Sequence, residues 1–298
     1  MASSESLRIR KTIVRDCVPD GISIQEERAQ WEAYAHSLQL AEGVRLRPET
    51  IADVPCLWLE EESNQHQNMV LYIHGGGLIA GSSVTHREFA SRLVKRLRRR
   101  VLLVDYRLAP EHPFPAALDD VRAVYAALVS RMRAQDITWG GESTGAGLAL
   151  AALIQLRDAG LLLPPGAFFI SGHFDMTLSG ESMTSRREID PFTSRQSLER
   201  AIRWYANGAD CRQPLLSPVF ADLSSLPPIL LQVGDDEILL SDSLRVAERI
   251  RQSGGSVELR VWDAMWHNWP MYVGLPEAEG ALEEIGEFLE GLTEICLR

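Results

Sequence analysis

A serine set in Gly141-Glu142-Ser143-Thr144-Gly145 has the spacing of a nucleophile held on a sharp strand-to-helix turn. The apolar run Ile137-Thr138-Trp139 before it reads as a buried strand, and Leu148 to Leu156 after it as a helix. Gly141 and Gly145, two positions either side of Ser143, let the backbone fold back without a clash. A helix that begins at such a turn aims its free N–H groups and positive dipole end at the space above the hydroxyl. Three fixed positions in five recur by chance, so the pattern gains weight only from the rest of the chain.

Acyl transfer by a serine needs a base, an acid to orient that base, and donors for the developing oxyanion. Donors are offered by His74-Gly75-Gly76-Gly77, which directly follows the strand-like run Met69 to Ile73. Consecutive glycines let backbone N–H groups approach a substrate oxygen closely. Gly76 and Gly77 would supply two donors and the Thr144 N–H a third. The base is expected to be His267, in the loop after the last strand-like run. His86 and His112 compete, the latter inside a proline bend, and so does His173, which precedes every candidate acid. The acid should follow the run Ile229 to Val233, where Asp235, Asp236, Glu237 and Asp242 stand close together. Side-chain chemistry does not select among them, since any carboxylate could orient the imidazole and stabilise its cation. The resulting chain order, serine then acid then histidine, is that of α/β-hydrolases.

These residues sit at the ends of elements that alternate in kind. Strands are expected at Val44 to Ile51, Val54 to Glu60, Met69 to Ile73, Val101 to Asp105, the run before Ser143, Ala167 to Ser171, Ile229 to Val233, and Val257 to Trp262. A polar turn is expected over Glu61 to Gln67. Helices are expected at Ile24 to Leu40, Thr85 to Arg99, Ala116 to about Arg133, and after the serine. Strands alternating with helices argue for a mostly parallel, eight-stranded sheet covered on both faces. The stretch from Gly172 to Leu226 breaks the rhythm and is too long for a bare loop in a compact domain. It should hold helices, one around Ser194 to Ala206, and form a small cap with the N-terminal helix.

Composition narrows the classes. The chain has 298 residues, 45% of them hydrophobic, enough for one large core with a cap, and a formal net charge of −11. That charge disfavours nucleic acid and anionic lipid as partners. The one basic run, Arg96 to Arg100, reads as the solvated end of a helix. Cys17, Cys56, Cys211 and Cys296 lie far apart, with neither Cys-x-x-Cys nor an adjacent histidine, so neither a disulfide framework nor a zinc site is expected. Met1 to Lys11 is polar and charged, unlike a signal peptide, and no apolar run reaches the ~18 residues of a membrane span. A soluble, cytoplasmic protein is expected.

Three blocks resemble the hormone-sensitive-lipase-like branch of α/β-hydrolases, the bacterial esterases with a His-Gly-Gly-Gly motif. They are His74 to Gly77, the stretch Asp105-Tyr106-Arg107-Leu108-Ala109-Pro110-Glu111-His112-Pro113-Phe114-Pro115-Ala116-Ala117-Leu118-Asp119-Asp120, and Gly141 to Gly147. The resemblance runs from about residue 40 to the C-terminus. It implies a single α/β-hydrolase domain over 1–298, with a cap from about 1–42 plus an insertion at about 173–215. It implies a carboxylesterase for short-acyl, small-molecule esters that needs no metal or organic cofactor. It also favours Glu237, in Glu237-Ile238-Leu239-Leu240 thirty residues before His267, as the acid, with Asp236 as the alternative. Two departures stand out: the branch usually reads Gly-Asp-Ser-Ala-Gly where Glu142 and Thr144 stand, and has an aromatic near Leu78-Ile79. An amidase, carbamate hydrolase, lactonase or deacetylase would use the same machinery. A small-molecule receptor on this fold would be expected to lack the histidine. Trp31, Tyr34, Trp204, Tyr205, Trp266 and Trp269 are candidates to line the pocket. The last strand should lie at a sheet edge, where a second copy could pair and make a homodimer.

Overall fold

A computed structural model describes residues 2–13, 15, 22–61 and 67–296. Residues 62–66 of the expected turn, and 16–21 within the expected cap, lie outside the described residues. The strands are β1 (Val44–Ile51), β2 (Val54–Glu61), β3 (Met69–Ile73), β4 (Arg100–Val104), β5 (Ile137–Glu142), β6 (Ala167–Ile170), β7 (Ile229–Gly234) and β8 (Val257–Trp262). They form one sheet in the order β1-β2-β4-β3-β5-β6-β7-β8. Only β2 runs against its neighbours β1 and β4; the other pairs are parallel. The expected mostly parallel sheet is therefore present, with β8 at its edge.

The helices are α1 (Ser4–Arg10), α2 (Ile24–His36), α3 (Ser83–Leu97), α4 (Ala116–Val129), α5 (Ser143–Asp158), α6 (Ser182–Ser185), α7 (Arg195–Ala206), α8 (Leu240–Gln252) and α9 (Pro276–Cys296). Successive strand residues point to opposite faces, so each central strand feeds two cores. Leu71, Leu102, Trp139 and Leu231 pack with Val121, Leu150 and Val246 of α4, α5 and α8. Their neighbours Val70, Leu103, Phe168 and Leu230 pack with Phe89 and Leu93 of α3 and with Ile285 and Leu289 of α9. Covering on both faces is why β3, β5 and β7 are buried at every position and mostly apolar instead of alternating. Strand β8, covered less well, alternates, and Val261 is 46% exposed.

Helix ends follow local chemistry. Helix α3 starts at Ser83, two residues before the expected Thr85, because the Ser82 side chain accepts from the Val84 and Thr85 N–H groups. Helix α7 starts at Arg195 because Ser194 caps it through the Ser197 N–H. Helices α2 and α4 stop at His36 and Val129, short of the expected Leu40 and Arg133. Helices α1 and α9 were not anticipated. The first is one short capped segment, but Ala278, Ala281, Leu282, Ile285, Leu289 and Leu292 of α9 carry helical apolar spacing.

Candidate active site

Strand β5 ends at Glu142 and α5 begins at Ser143, whose φ of 52° lies in the left-handed region. A non-glycine residue there costs ~1–3 kcal/mol and persists only where its surroundings over-determine it. They do so here by close packing. A Cβ on Gly145 would run into the carbonyl oxygens of Ile73 and His74, so the first turn of α5 lies directly on the end of β3. The Ser143 carbonyl also accepts the His173 N–H at 2.9 Å.

Ser143 Oγ faces Nε2 of His267 at 3.0 Å. The other ring nitrogen, Nδ1, lies 3.2 Å from Oε2 of Glu237. Glu237 is fully buried, and its Oε1 accepts the Gly234 N–H and the Ser171 hydroxyl, each at 2.7 Å. With Nδ1–H donating to the carboxylate, Nε2 is left to accept the serine proton. Burial raises the Glu237 carboxyl above its ordinary pKa. Burial alone would lower His267, but the hydrogen bond and charge of Glu237 outweigh it and raise the imidazole above its ordinary value.

The other acids near β7 are engaged elsewhere. Asp236 pairs with Arg10 of α1 at 2.6 Å, and Asp235 accepts the Ala264 N–H at 2.6 Å. Asp242 accepts the N–H groups of Phe174 and Asp175. The competing histidines are likewise occupied. His173 is buried under the elbow, its pKa lowered to about 4 by burial. His86 meets Glu142 at 2.8 Å, and His112 is exposed.

The loop after β3 carries His74 and the three glycines. Gly76 and Gly77 have φ of 104° and 71°, which L side chains rarely adopt. The N–H groups of Gly76, Gly77 and Thr144 have no hydrogen-bond partner among the described residues, and all three residues line the same cavity as Ser143 and His267. His74 itself points away. Burial lowers its pKa to about 3, and its ring stacks on Tyr106 at 4.3 Å.

That stacking explains part of the long block from Asp105 to Asp120, for which sequence reasoning had no physical role. Tyr106 donates its hydroxyl to the His74 carbonyl at 2.6 Å, and Asp105 accepts from Ser83 at the start of α3. The Ala109 carbonyl and Glu111 hold Arg28 of α2, while the Phe114 N–H donates to the Tyr205 carbonyl of α7 at 2.8 Å. The block thus braces the glycine loop and two helices beside the cavity.

The cavity has a volume of about 700 Å³. Helices α1, α2 and α7, from the two segments expected to form a cap, contribute Ile9, Trp31, Tyr34, Leu198 and Ala201 to its wall. Glu27 of α2 and Arg200 of α7, which also line it, pair at 2.8 Å. Of the aromatic residues expected there, Trp31 and Tyr34 line the cavity, whereas Trp204, Tyr205, Trp266 and Trp269 do not. Tyr205, Trp266 and Trp269 are buried in the protein core. Phe192 and Tyr272 line it instead, and nothing in their sequence context marked them. Among the described residues, no cluster of three or more His, Cys, Asp or Glu side chains could hold a metal ion, and no helix is long and apolar enough to cross a membrane.

Comparison with known proteins agrees with this architecture. A family model described as the alpha/beta hydrolase fold matches residues 70–271. The chain is 38% identical over 252 residues to an esterase of Acinetobacter venetianus, covering 84% of this chain and 83% of that one. It is 38% identical over 246 residues to an acetyl-hydrolase of Streptomyces hygroscopicus, covering 82% of each. Among solved structures, EstE5 superposes with a TM-score of 0.92 at 36% identity, covering 98% of this chain and 99% of that one. An esterase from the bacterial hormone-sensitive lipase family superposes with a TM-score of 0.93 at 35% identity and the same coverage. The chain belongs to the α/β-hydrolase fold family, in its hormone-sensitive-lipase-like branch, and is a carboxylic ester hydrolase.

Proposed function

We propose that the protein hydrolyses short-acyl esters through an acyl-enzyme on Ser143. His267 takes the Ser143 proton as Oγ attacks the ester carbonyl. The oxyanion meets the N–H groups of Gly76, Gly77 and Thr144. His267 then protonates the departing alcohol, and a water deprotonated by the same nitrogen releases the carboxylic acid and restores Ser143. Glu237 holds the imidazole and stabilises its cation. The observation that carries this reading is the 3.0 Å approach of His267 Nε2 to Ser143 Oγ, with a buried carboxylate behind the ring.

The short-acyl preference draws on the cavity of about 700 Å³, roofed by α2 and α7, which act as the cap. It draws also on two relatives: one is named an acetyl-hydrolase, and crystals of EstE5 were soaked with p-nitrophenyl butyrate. The test is a series of p-nitrophenyl esters from acetate to palmitate, with wild type and Ser143→Ala side by side. Truncating the nucleophile should cost about a millionfold in kcat. A Ser143→Ala enzyme within tenfold of wild type overturns the mechanism, and a preference for palmitate overturns the acyl range.

A further inference from the structure

Glu142 precedes the proposed nucleophile and is only 1% exposed, yet its carboxylate serves donors from three separate segments. Oε1 accepts the Gly75 N–H and lies 2.8 Å from Nε2 of His86 on α3. Oε2 accepts from Nδ2 of Asn268 at 3.1 Å. Gly75 belongs to the loop that presents Gly76 and Gly77, and Asn268 directly follows His267. Asn268 sits at φ 58°, a left-handed conformation that asparagine tolerates. Its own N–H donates to Ser171 Oγ at 3.0 Å, and Ser171 donates to Glu237 at 2.7 Å. One buried carboxylate therefore joins the elbow, the glycine loop and the histidine loop, and reaches the orienting acid through Asn268.

A buried carboxylate is costly unless both oxygens find donors, and a well-packed apolar residue would fill the space more cheaply. Burial pushes the Glu142 carboxyl up, but the hydrogen bonds from His86 and the Gly75 N–H outweigh it and hold it below its ordinary range. The side chain is thus an anion that only accepts. Besides His86 of α3, its donors Gly75 and Asn268 come from the two loops whose relative placement decides whether oxyanion donors and base meet one reacting carbon. Misplacement of such groups by about 1 Å costs about a hundredfold in rate. We propose that Glu142 is a positioning residue that keeps the Gly75–Gly77 loop and the His267–Asn268 loop in register across Ser143. This rests on the serine mechanism proposed above.

The contact with Asn268 can be inverted. Oδ1 of Asn268 is buried and has no hydrogen-bond partner among the described residues. Asn268→Asp sets a carboxylate against the Glu142 carboxylate. Adding Glu142→Gln turns that repulsion into an amide donating to the new aspartate. We expect Glu142→Gln to lower kcat about tenfold and Asn268→Asp about a hundredfold, with KM within about threefold. The double variant should return to about the level of Glu142→Gln alone, because contacting residues couple. Melting temperatures of the four proteins should show coupling of the same sign. They keep the test readable where one variant folds poorly.

Additive losses in kcat, with a wild-type activity that vanishes in Ser143→Ala, overturn the positioning role alone. Coupling seen in melting temperature but not in kcat also overturns it, since it describes a purely structural contact. A wild type without esterase activity, or an active Ser143→Ala, overturns the serine mechanism and this role with it.

Discussion

Replacing Glu237 with glutamine, beside Asp236→Asn, separates orientation of the base from the mere presence of a nearby acid. Oε1 of Glu237 is committed to the Gly234 N–H and the Ser171 hydroxyl, both donors, so a glutamine must place its oxygen there. Its amide nitrogen then takes the place of Oε2, which lies 3.2 Å from Nδ1 of His267. Two donors would face each other, so the imidazole moves its proton to Nε2 and can no longer accept from Ser143 Oγ. The fixed charge that stabilises the imidazolium is lost as well. An equivalent carboxylate-to-amide change in a serine protease triad lowers kcat about 10⁴-fold, or about 5.5 kcal/mol at ~1.36 kcal/mol per tenfold. Asp236 instead pairs with Arg10, and both side chains remain partly exposed, at 23% and 25%. Such a pair contributes at most ~1 kcal/mol. Asp236→Asn should therefore keep kcat within about threefold and at most loosen α1. The assay is kcat on p-nitrophenyl butyrate at pH 8, with circular dichroism to confirm folding. A Glu237→Gln enzyme within tenfold of wild type, or an Asp236→Asn enzyme down more than a hundredfold, would refute the reasoning.

Two pH dependences follow from the buried groups. His267 faces Glu237, Asp190 and Glu142, and its pKa is raised above the ordinary value of about 6.5, so kcat/KM should climb with pH through a midpoint above that value. Its extra stability is present below about 6.5 and lost as pH rises through the raised value, so activity appears as that stability fades. A midpoint below 6 in a kcat/KM profile would contradict this. Asp242, raised to about 8 by burial, binds a proton in the folded chain that the unfolded chain has already released, so stability should fall as pH rises from about 4 toward 8. Asp242→Asn should flatten the melting temperature between pH 5 and 8, and an unchanged slope would sink the assignment.

The parts legible in the sequence are those whose cause is local. Strands β3, β5 and β7 are mostly apolar because both faces are covered, and Gly141 lies against the backbone of Gly145 and Ala146 where the turn at Ser143 folds back, although Gly145 is held small by Ile73 and His74 at the end of β3. What sequence leaves open depends on partners distant along the chain. Asp235, Asp236 and Glu237 are chemically alike and adjacent. Which one meets His267 is decided by the turn after β7, where the Gly234 N–H draws the Glu237 carboxylate inward while Asp236 turns out toward Arg10, more than two hundred residues earlier. The proline-rich block is a similar case, since its partners Arg28 and Tyr205 lie on helices from opposite ends of the chain. Glu142 completes the pattern. In sequence it is a departure from the usual aspartate at the elbow, and a residue next to a serine is easily treated as a spacer. Only the fold brings Gly75, His86 and Asn268 around it. A buried anion with donors from two catalytic loops is therefore evidence about positioning that neither a motif nor a composition could carry.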